Sequence, residues 1–151
     1  MGQIMTSTHL YQAEKTDVEN IYSLLVEYKN VDLKDIYPDE IDRKKLMFFI
    51  NTILQKGKII LVNDLDKDKL IGCCMFNKSE YFFSKSQIMQ IQMVYVKKDY
   101  RSFKLIKTLI DAVKKVSDDL PIVLSITSGL GVDPVFEKLG FKHMGSNWRL
   151  I

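Results

Sequence analysis

The feature that most constrains this chain is an apolar run, residues 88–96, that passes through the turn Lys97-Lys98-Asp99-Tyr100-Arg101-Ser102 into a helical pattern, followed by a second apolar run at 122–126. The helix pattern places Leu105, Ile106, Leu109, Ile110, Val113 and Val116 inside and Lys104, Lys107, Asp111 and Lys114 outside, with Asp99 or Ser102 as its cap. Two strands joined through a helix run parallel, so the chain must build a sheet containing such a pair. The same junction suits an anion. A helix start leaves N–H groups unpaired and carries partial positive charge, and Arg101 and Lys104 lie beside it. The plainer reading also stands, in which Lys98, Arg101 and Lys104 are a solvated helix start.

The rest of the chain supplies a frame. Residues 9–13 suit a short strand, and Thr16 or Asp17 can cap a helix with Val18, Ile21, Leu24, Leu25 and Tyr28 on its inner face. Residues 30–40 are polar, are interrupted by Pro38, and read as a loop. A second helix is expected from about Ile41, with Leu46, Phe48, Phe49, Ile50, Ile53 and Leu54 as its apolar side and Gly57 as its stop. Residues 58–62 and 70–76, separated by an Asp- and Lys-rich turn, predict an antiparallel hairpin. Within 88–96, alternation sets Gln90 and Gln92 on one face and Ile91 and Met93 on the other. A short helix at 133–139 ending at Gly140, then a last strand pair at 141–144 and 147–150, completes the order. The exposed edges of that last pair offer a route to a homodimer.

A chain of 151 residues suits one domain, 1–151, able to bury a core without staples. A net charge of +3 with dispersed basic residues argues against dedicated nucleic-acid binding but not against a small anionic ligand. Cys73 and Cys74 are adjacent in an apolar run, where they point to opposite faces and stay reduced. No apolar run reaches membrane length, so a soluble cytoplasmic protein is expected. The start, Met1-Gly2-Gln3-Ile4-Met5-Thr6, fits a loose myristoylation pattern of the kind that arises by chance. His9 and His143 lie apart without ligand-spaced partners, so no metal is expected. Tyr81-Phe82-Phe83 can line an acceptor pocket or fill core, with core the favoured reading because aromatics are heavily used in packing, and Trp148 is assigned to packing.

The pattern Val96-x-x-x-Tyr100-Arg101, the helix carrying Leu105, Leu109 and Ala112, the strand after it, and Phe136-Glu137-Lys138-Leu139-Gly140-Phe141 together resemble the GNAT family of acyl-CoA-dependent N-acetyltransferases. The Tyr81-Phe82-Phe83 run, the Arg-Ser pair of the turn and the Gly145-Ser146-x-Trp148 ending are most similar to GNAT-like proteins of phages and prophages. The resemblance implies an α/β (α+β) fold: a central mixed, mostly antiparallel sheet with one splayed parallel pair, flanked by about four helices. It also implies acetyl-CoA as cosubstrate and a small-molecule or protein amine as acceptor. On that resemblance Met93, Val94 and Val96 contact the pantetheine arm through the main chain, as an added strand would. Arg101, Ser102, Phe103, Lys104, Leu105 and Ile106 then receive the pyrophosphate.

The family turn has Gln or Arg, two residues, a Gly, one residue, and a Gly or Ala; Lys104 and Ile106 stand at the two small positions. Many members take a proton with a glutamate on the central strand and return one from a tyrosine in the last helix. This chain has Gln90 and Gln92 on the strand, and Phe136 at the tyrosine position. Tyr95, Ser125 and Gln92 are the remaining candidates for the polar roles in catalysis, with Tyr81, Ser128 and Asp133 also near the expected cleft. Two functions are therefore in view: an N-acetyltransferase acting by direct attack, or a GNAT-like protein that has lost catalysis and serves as a phage accessory or virion component.

Overall fold

A computed structural model describes residues 7–125, 133–145 and 148–150. The elements run β1 (Thr8–Gln12), α1 (Val18–Asp32), α2 (Arg43–Lys56), β2 (Lys58–Asp64), β3 (Lys69–Glu80), β4 (Gln87–Val96), α3 (Phe103–Lys115), β5 (Ile122–Leu124) and α4 (Asp133–Lys138). The strands form one sheet in the order β1-β2-β3-β4-β5. Every neighbouring pair is antiparallel except β4 and β5, which are parallel. This is the mixed sheet with a single parallel pair that the β-α-β run requires.

Each face of the sheet buries its own core. Ile59, Leu61, Cys73, Met75 and Tyr95 pack against Ile21, Leu24 and Leu25 of α1 and Ile50 and Ile53 of α2. On the other face Ile60, Val62, Cys74, Phe76, Met89 and Ile91 pack against Leu105, Leu109, Ile110 and Val113 of α3 and Phe136 of α4. The adjacent cysteines therefore do separate to opposite faces, both as buried free thiols.

Several local expectations change. The second helix starts at Arg43 rather than Ile41, because the Asp42 carboxylate accepts from Lys45 N at 3.0 Å and caps it there. Phe48 is 73% exposed. At 100° per residue it lies on the far side of α2 from Ile50 and Ile53. Val116 falls beyond the end of α3 and is partly exposed. Phe82 and Phe83 are exposed at the β3–β4 turn, with Phe83 stacked on Tyr81 and edge-on to Phe82 rather than in the core, and Trp148 is likewise exposed.

The expected strand pair at 141–144 and 147–150 is not formed: residues 141–145 and 148–150 carry no ladder. Gly140, at φ +96°, turns the chain as α4 ends, and Phe141 then donates its N–H to Phe136 O at 3.0 Å and sets its ring edge-on to Phe136. Phe141 is thereby used to close α4 onto the core, and the paired edges on which self-association was expected to rest are missing from the described residues. Ile126, Ser128 and the N-terminal acylation pattern lie outside those residues.

Alternation along β4 is interrupted. Ile91 pairs with Phe76 and Met93 with Met75, so Gln92 is an extra residue, a β-bulge. Ile91 accordingly belongs to the α3 core and Met93 packs against the α1/α2 core, not on one face as the alternation predicts.

The passage from α2 to β2 is tight. A Cβ at Gly57 would lie 2.2 Å from the Phe76 carbonyl oxygen and 2.7 Å from Asn77 Cβ, so β2 enters the sheet only because this residue has no side chain. Gly57→Ala is expected to destabilise the protein by about 1–3 kcal/mol, as other overpacked sites do. Urea unfolding checks it: the midpoint should fall with an unchanged slope, and an unmoved midpoint would show that the backbone yields.

Candidate functional site at the open end of the parallel pair

The β4–β5 ladder has three rungs, Met89 with Ile122, Gln90 with Val123 and Ile91 with Leu124, and ends where the bulge begins. Residues 92–96 of β4 have no β5 partner among the described residues. Lys97 N–H bonds Ile71 O at 2.8 Å, so Lys97 faces β3. Alternation then turns Tyr95 and Met93 toward β3 and leaves the main chains of Val94 and Val96 facing the open side. Of the three main-chain positions named from sequence, Val94 and Val96 are therefore on the free edge, while Met93 sits on a rung with Met75. From the last rung to Val96 is about 16 Å at roughly 3.3 Å per residue.

The free edge leads into α3. After a 3-10 turn at Lys98–Tyr100, the Ser102 hydroxyl accepts from Leu105 N at 3.1 Å, which makes Ser102 rather than Asp99 the cap. Ile106 N bonds Ser102 O. Phe103 and Lys104 lie ahead of any acceptor within the helix, so their N–H groups face outward from its positive end. Lys104 is exposed, whereas Ile106 is half-buried and packs against the α3 core. Leu105 is buried, and Phe103 is half-buried with Lys138 Nζ 4.3 Å from its ring.

Arg101 goes elsewhere. Its Nε donates to Val96 O at 2.7 Å, its Nη2 pairs with the Asp32 carboxylate, and its Cζ lies 5.6 Å from the centre of the Tyr95 ring. The charge expected to reach a phosphate is spent between β4 and the end of α1. Tyr100 fixes the turn from the other side, donating to Asp64 Oδ2 at 2.6 Å. Asp64 is 1% exposed and also accepts from Asp66 N and Lys67 N.

The three catalytic candidates occupy different settings. Gln92, on the bulge, is exposed and donates from Nε2 to Asn77 Oδ1 at 2.9 Å, which leaves its own amide oxygen available. Ser125 is exposed one residue beyond β5. Tyr95 is buried and stacked on Tyr28 at 4.5 Å; burial first, then Asp32 and Glu27, push its hydroxyl up to about 12. It therefore keeps its proton at neutral pH and is a reluctant acid. Phe136 is core. The Cys73 thiol, pushed up to about 12 by burial, is inert, and burial raises Cys74 as well. A cavity of about 860 Å³ lies against β5 and the segment after α4, and takes in Ser125 and Phe136 but no residue of the open β4 edge. Among the described residues no group of His, Cys, Asp and Glu is arranged to hold a metal, and no helix is long and apolar enough to cross a membrane.

Residues 18–141 match the profile of the Acetyltransferase (GNAT) family, and the chain belongs to that family. Curated protein sequences gave no match. Among solved structures it is similar to a possible acetyltransferase from Clostridium difficile 630 (19% identity, 95% of this chain and 96% of that one, TM-score 0.71). It is also similar to a ribosomal-protein-alanine N-acetyltransferase from Brucella melitensis (16%, 96% and 99%, TM-score 0.69). A third is an aminoglycoside acetyltransferase from an uncultured soil sample, solved with sisomicin (11%, 95% and 95%, TM-score 0.69). At such identities the likeness establishes the fold.

The Tyr100–Asp64 bond carries a pH signature. The Tyr100 hydroxyl, ahead of the two backbone N–H groups, holds the Asp64 carboxyl below its usual range. A depressed folded-state value contributes stability above the unfolded value, near 3.9, that is lost as pH falls through the lower folded value. Tyr100→Phe should therefore lower stability at neutral pH and flatten its decline below about pH 4. Thermal melts from pH 2 to 7 check this, and parallel curves for both proteins would refute it.

Proposed function

We propose that this protein is an acyl-CoA-dependent N-acetyltransferase that moves acetyl from acetyl-CoA to a primary amine by direct attack in a ternary complex. The observation that carries the reading is a parallel pair with three rungs among the described residues, where residues 92–96 of β4 have no β5 partner and lead to the capped start of α3. The pantetheine arm adds to that edge through Val94 and Val96, beside Met93, as a strand would. The pyrophosphate rests on the turn that follows Arg101, formed by Ser102, Phe103, Lys104, Leu105 and Ile106, chiefly on the outward N–H groups of Phe103 and Lys104, with the exposed Lys104 ammonium adding charge. The thioester then falls near the last rung, beside Gln92 and Ser125.

There the amine nitrogen attacks the thioester carbonyl. A C–N bond forms, the tetrahedral oxyanion collapses, and the C–S bond breaks to release the coenzyme A thiolate. Gln92, oriented by Asn77, accepts from the amine N–H and holds its lone pair toward the carbonyl; an amide does not remove the proton. The attacking amine reaches the site already neutral, the positively charged nitrogen of the tetrahedral intermediate sheds its proton to water, and water protonates the thiolate. Tyr95 supports the strand. Proximity supplies most of the rate under this scheme. The acceptor is a small-molecule or protein amine, and the reaction suits a cytoplasm. The other reading, a phage accessory or virion protein without catalysis, is drawn from Lys104, Ile106 and Phe136. It is not favoured by a family and neighbours that are acetyltransferases.

Acetyl-CoA at about a hundred times its Kd should raise Tm by roughly 5–10 °C, and Lys104→Glu should weaken binding about tenfold by reversing charge at the helix start. Thiol release with primary amines should follow, its rate rising with pH as the amine deprotonates and levelling at the pKa of the acceptor. Absence of any shift at millimolar acetyl-CoA would overturn the assignment. Binding without thiol release across an amine panel would transfer it to the non-catalytic reading.

A further inference from the structure

Three contacts join the last two turns of α1 to the end of β4 and the turn after it. Lys97 Nζ lies 3.1 Å from Glu27 Oε2, the rings of Tyr28 and Tyr95 stack at 4.5 Å, and Arg101 pairs with Asp32. Asp32 is the last residue of α1, and its side chain is only 8% exposed. A carboxylate there faces the negative end of its own helix and has lost most of its water, so it needs a cation. Arg101 meets that need with one nitrogen while another holds Val96 O, a fork that lysine cannot reproduce. From Asp32 the chain enters residues 33–42, which lead to α2; Leu33 N bonds Lys29 O, turn bonds close on Leu33 O, the Arg149 guanidinium lies 5.7 Å from the Tyr37 ring, and Asp42 caps α2.

We propose that Arg101 is a positioning residue for the acceptor side of the site: paired with Asp32, it fixes residues 33–42 beside the mouth of the open β4 edge instead of gripping the phosphates of the donor. This rests on the N-acetyltransferase reading. The donor meets the backbone of the turn and Lys104, and the guanidinium is the strut that ties this turn to the segment the amine must pass. The strut is asymmetric. Removing Arg101 strands a nearly buried carboxylate at a helix end, whereas Asp32→Asn leaves Arg101 its bonds to Val96 O and its place over Tyr95.

The test compares wild type, Arg101→Ala, Arg101→Lys, Asp32→Asn and the double variant Arg101→Ala/Asp32→Ala. Calorimetry with coenzyme A gives donor affinity. Thiol release with a lysine-containing peptide and an amino sugar separates KM for the amine from kcat. Hydrogen exchange of residues 27–42 reads the segment directly. Arg101→Ala and Asp32→Asn should each raise the amine KM about tenfold or more, as small misplacements near a reacting centre do, with the coenzyme A Kd within about twofold of wild type. Exchange should quicken in residues 27–42 in both. Arg101→Lys should restore only part of the KM, and the double variant should melt above Arg101→Ala. Loss of coenzyme A affinity of about tenfold in Arg101→Ala but not in Asp32→Asn would make Arg101 a phosphate anchor and overturn the inference. Unchanged exchange in 27–42 would overturn it too, whether or not turnover is seen. Failure of the wild type itself to bind coenzyme A would instead overturn the N-acetyltransferase reading, leaving the exchange result to decide the strut.

Discussion

The organisation of this molecule depends on where one ladder stops. Among the described residues β4 pairs with β5 for three rungs and then bulges at Gln92, and the backbone that follows has strand partners on the β3 side only. Unpaired main-chain groups in a largely buried strand are costly unless something bonds to them. Val96, 2% exposed, shows how the protein meets part of that demand, since its carbonyl accepts from Arg101 Nε. The groups of Val94 and the N–H of Val96 remain turned to the side away from β3. The bulge also divides labour between faces, sending Ile91 to the α3 core and Met93 to the α1/α2 core, which lets one strand knit both layers while opening one edge.

What lay in the sequence was what depends on local pattern. The β-α-β order, the hairpin of β2 and β3, the Ser102 cap and the opposed cysteines all follow from spacing along a few neighbouring residues. The bulge does not, because Gln90, Ile91, Gln92 and Met93 alternate acceptably in either register and the choice is made by pairing with Met75 and Phe76. The fate of Arg101 was hidden for a similar reason: its partner Asp32 is 69 residues away, at the end of a helix that reads as ending in a loop. Tyr100 and Asp64 are 36 residues apart. Phe82 and Phe83 misled in the opposite sense, since their hydrophobicity argued for burial while their place at a turn dictated exposure; Tyr81 beside them is half-buried.

The departure from the family turn has a physical reading once the surroundings are known. Glycines at positions 104 and 106 would let a phosphate approach an adaptable backbone. Here the Ile106 side chain packs toward the core and Lys104 extends into solvent, so neither necessarily covers the N–H groups of the first turn. The turn is instead held from two directions, by Tyr100 on Asp64 and by Arg101 on Asp32 and Val96. Donors fixed in place before a ligand arrives lose little order on binding it, which is the advantage that rigidity offers over adaptability. The strut to α1 then has a second consequence. Glu27, Tyr28 and Asp32 reach Lys97, Tyr95 and Arg101, so the end of α1 and the turn before α3 share one support.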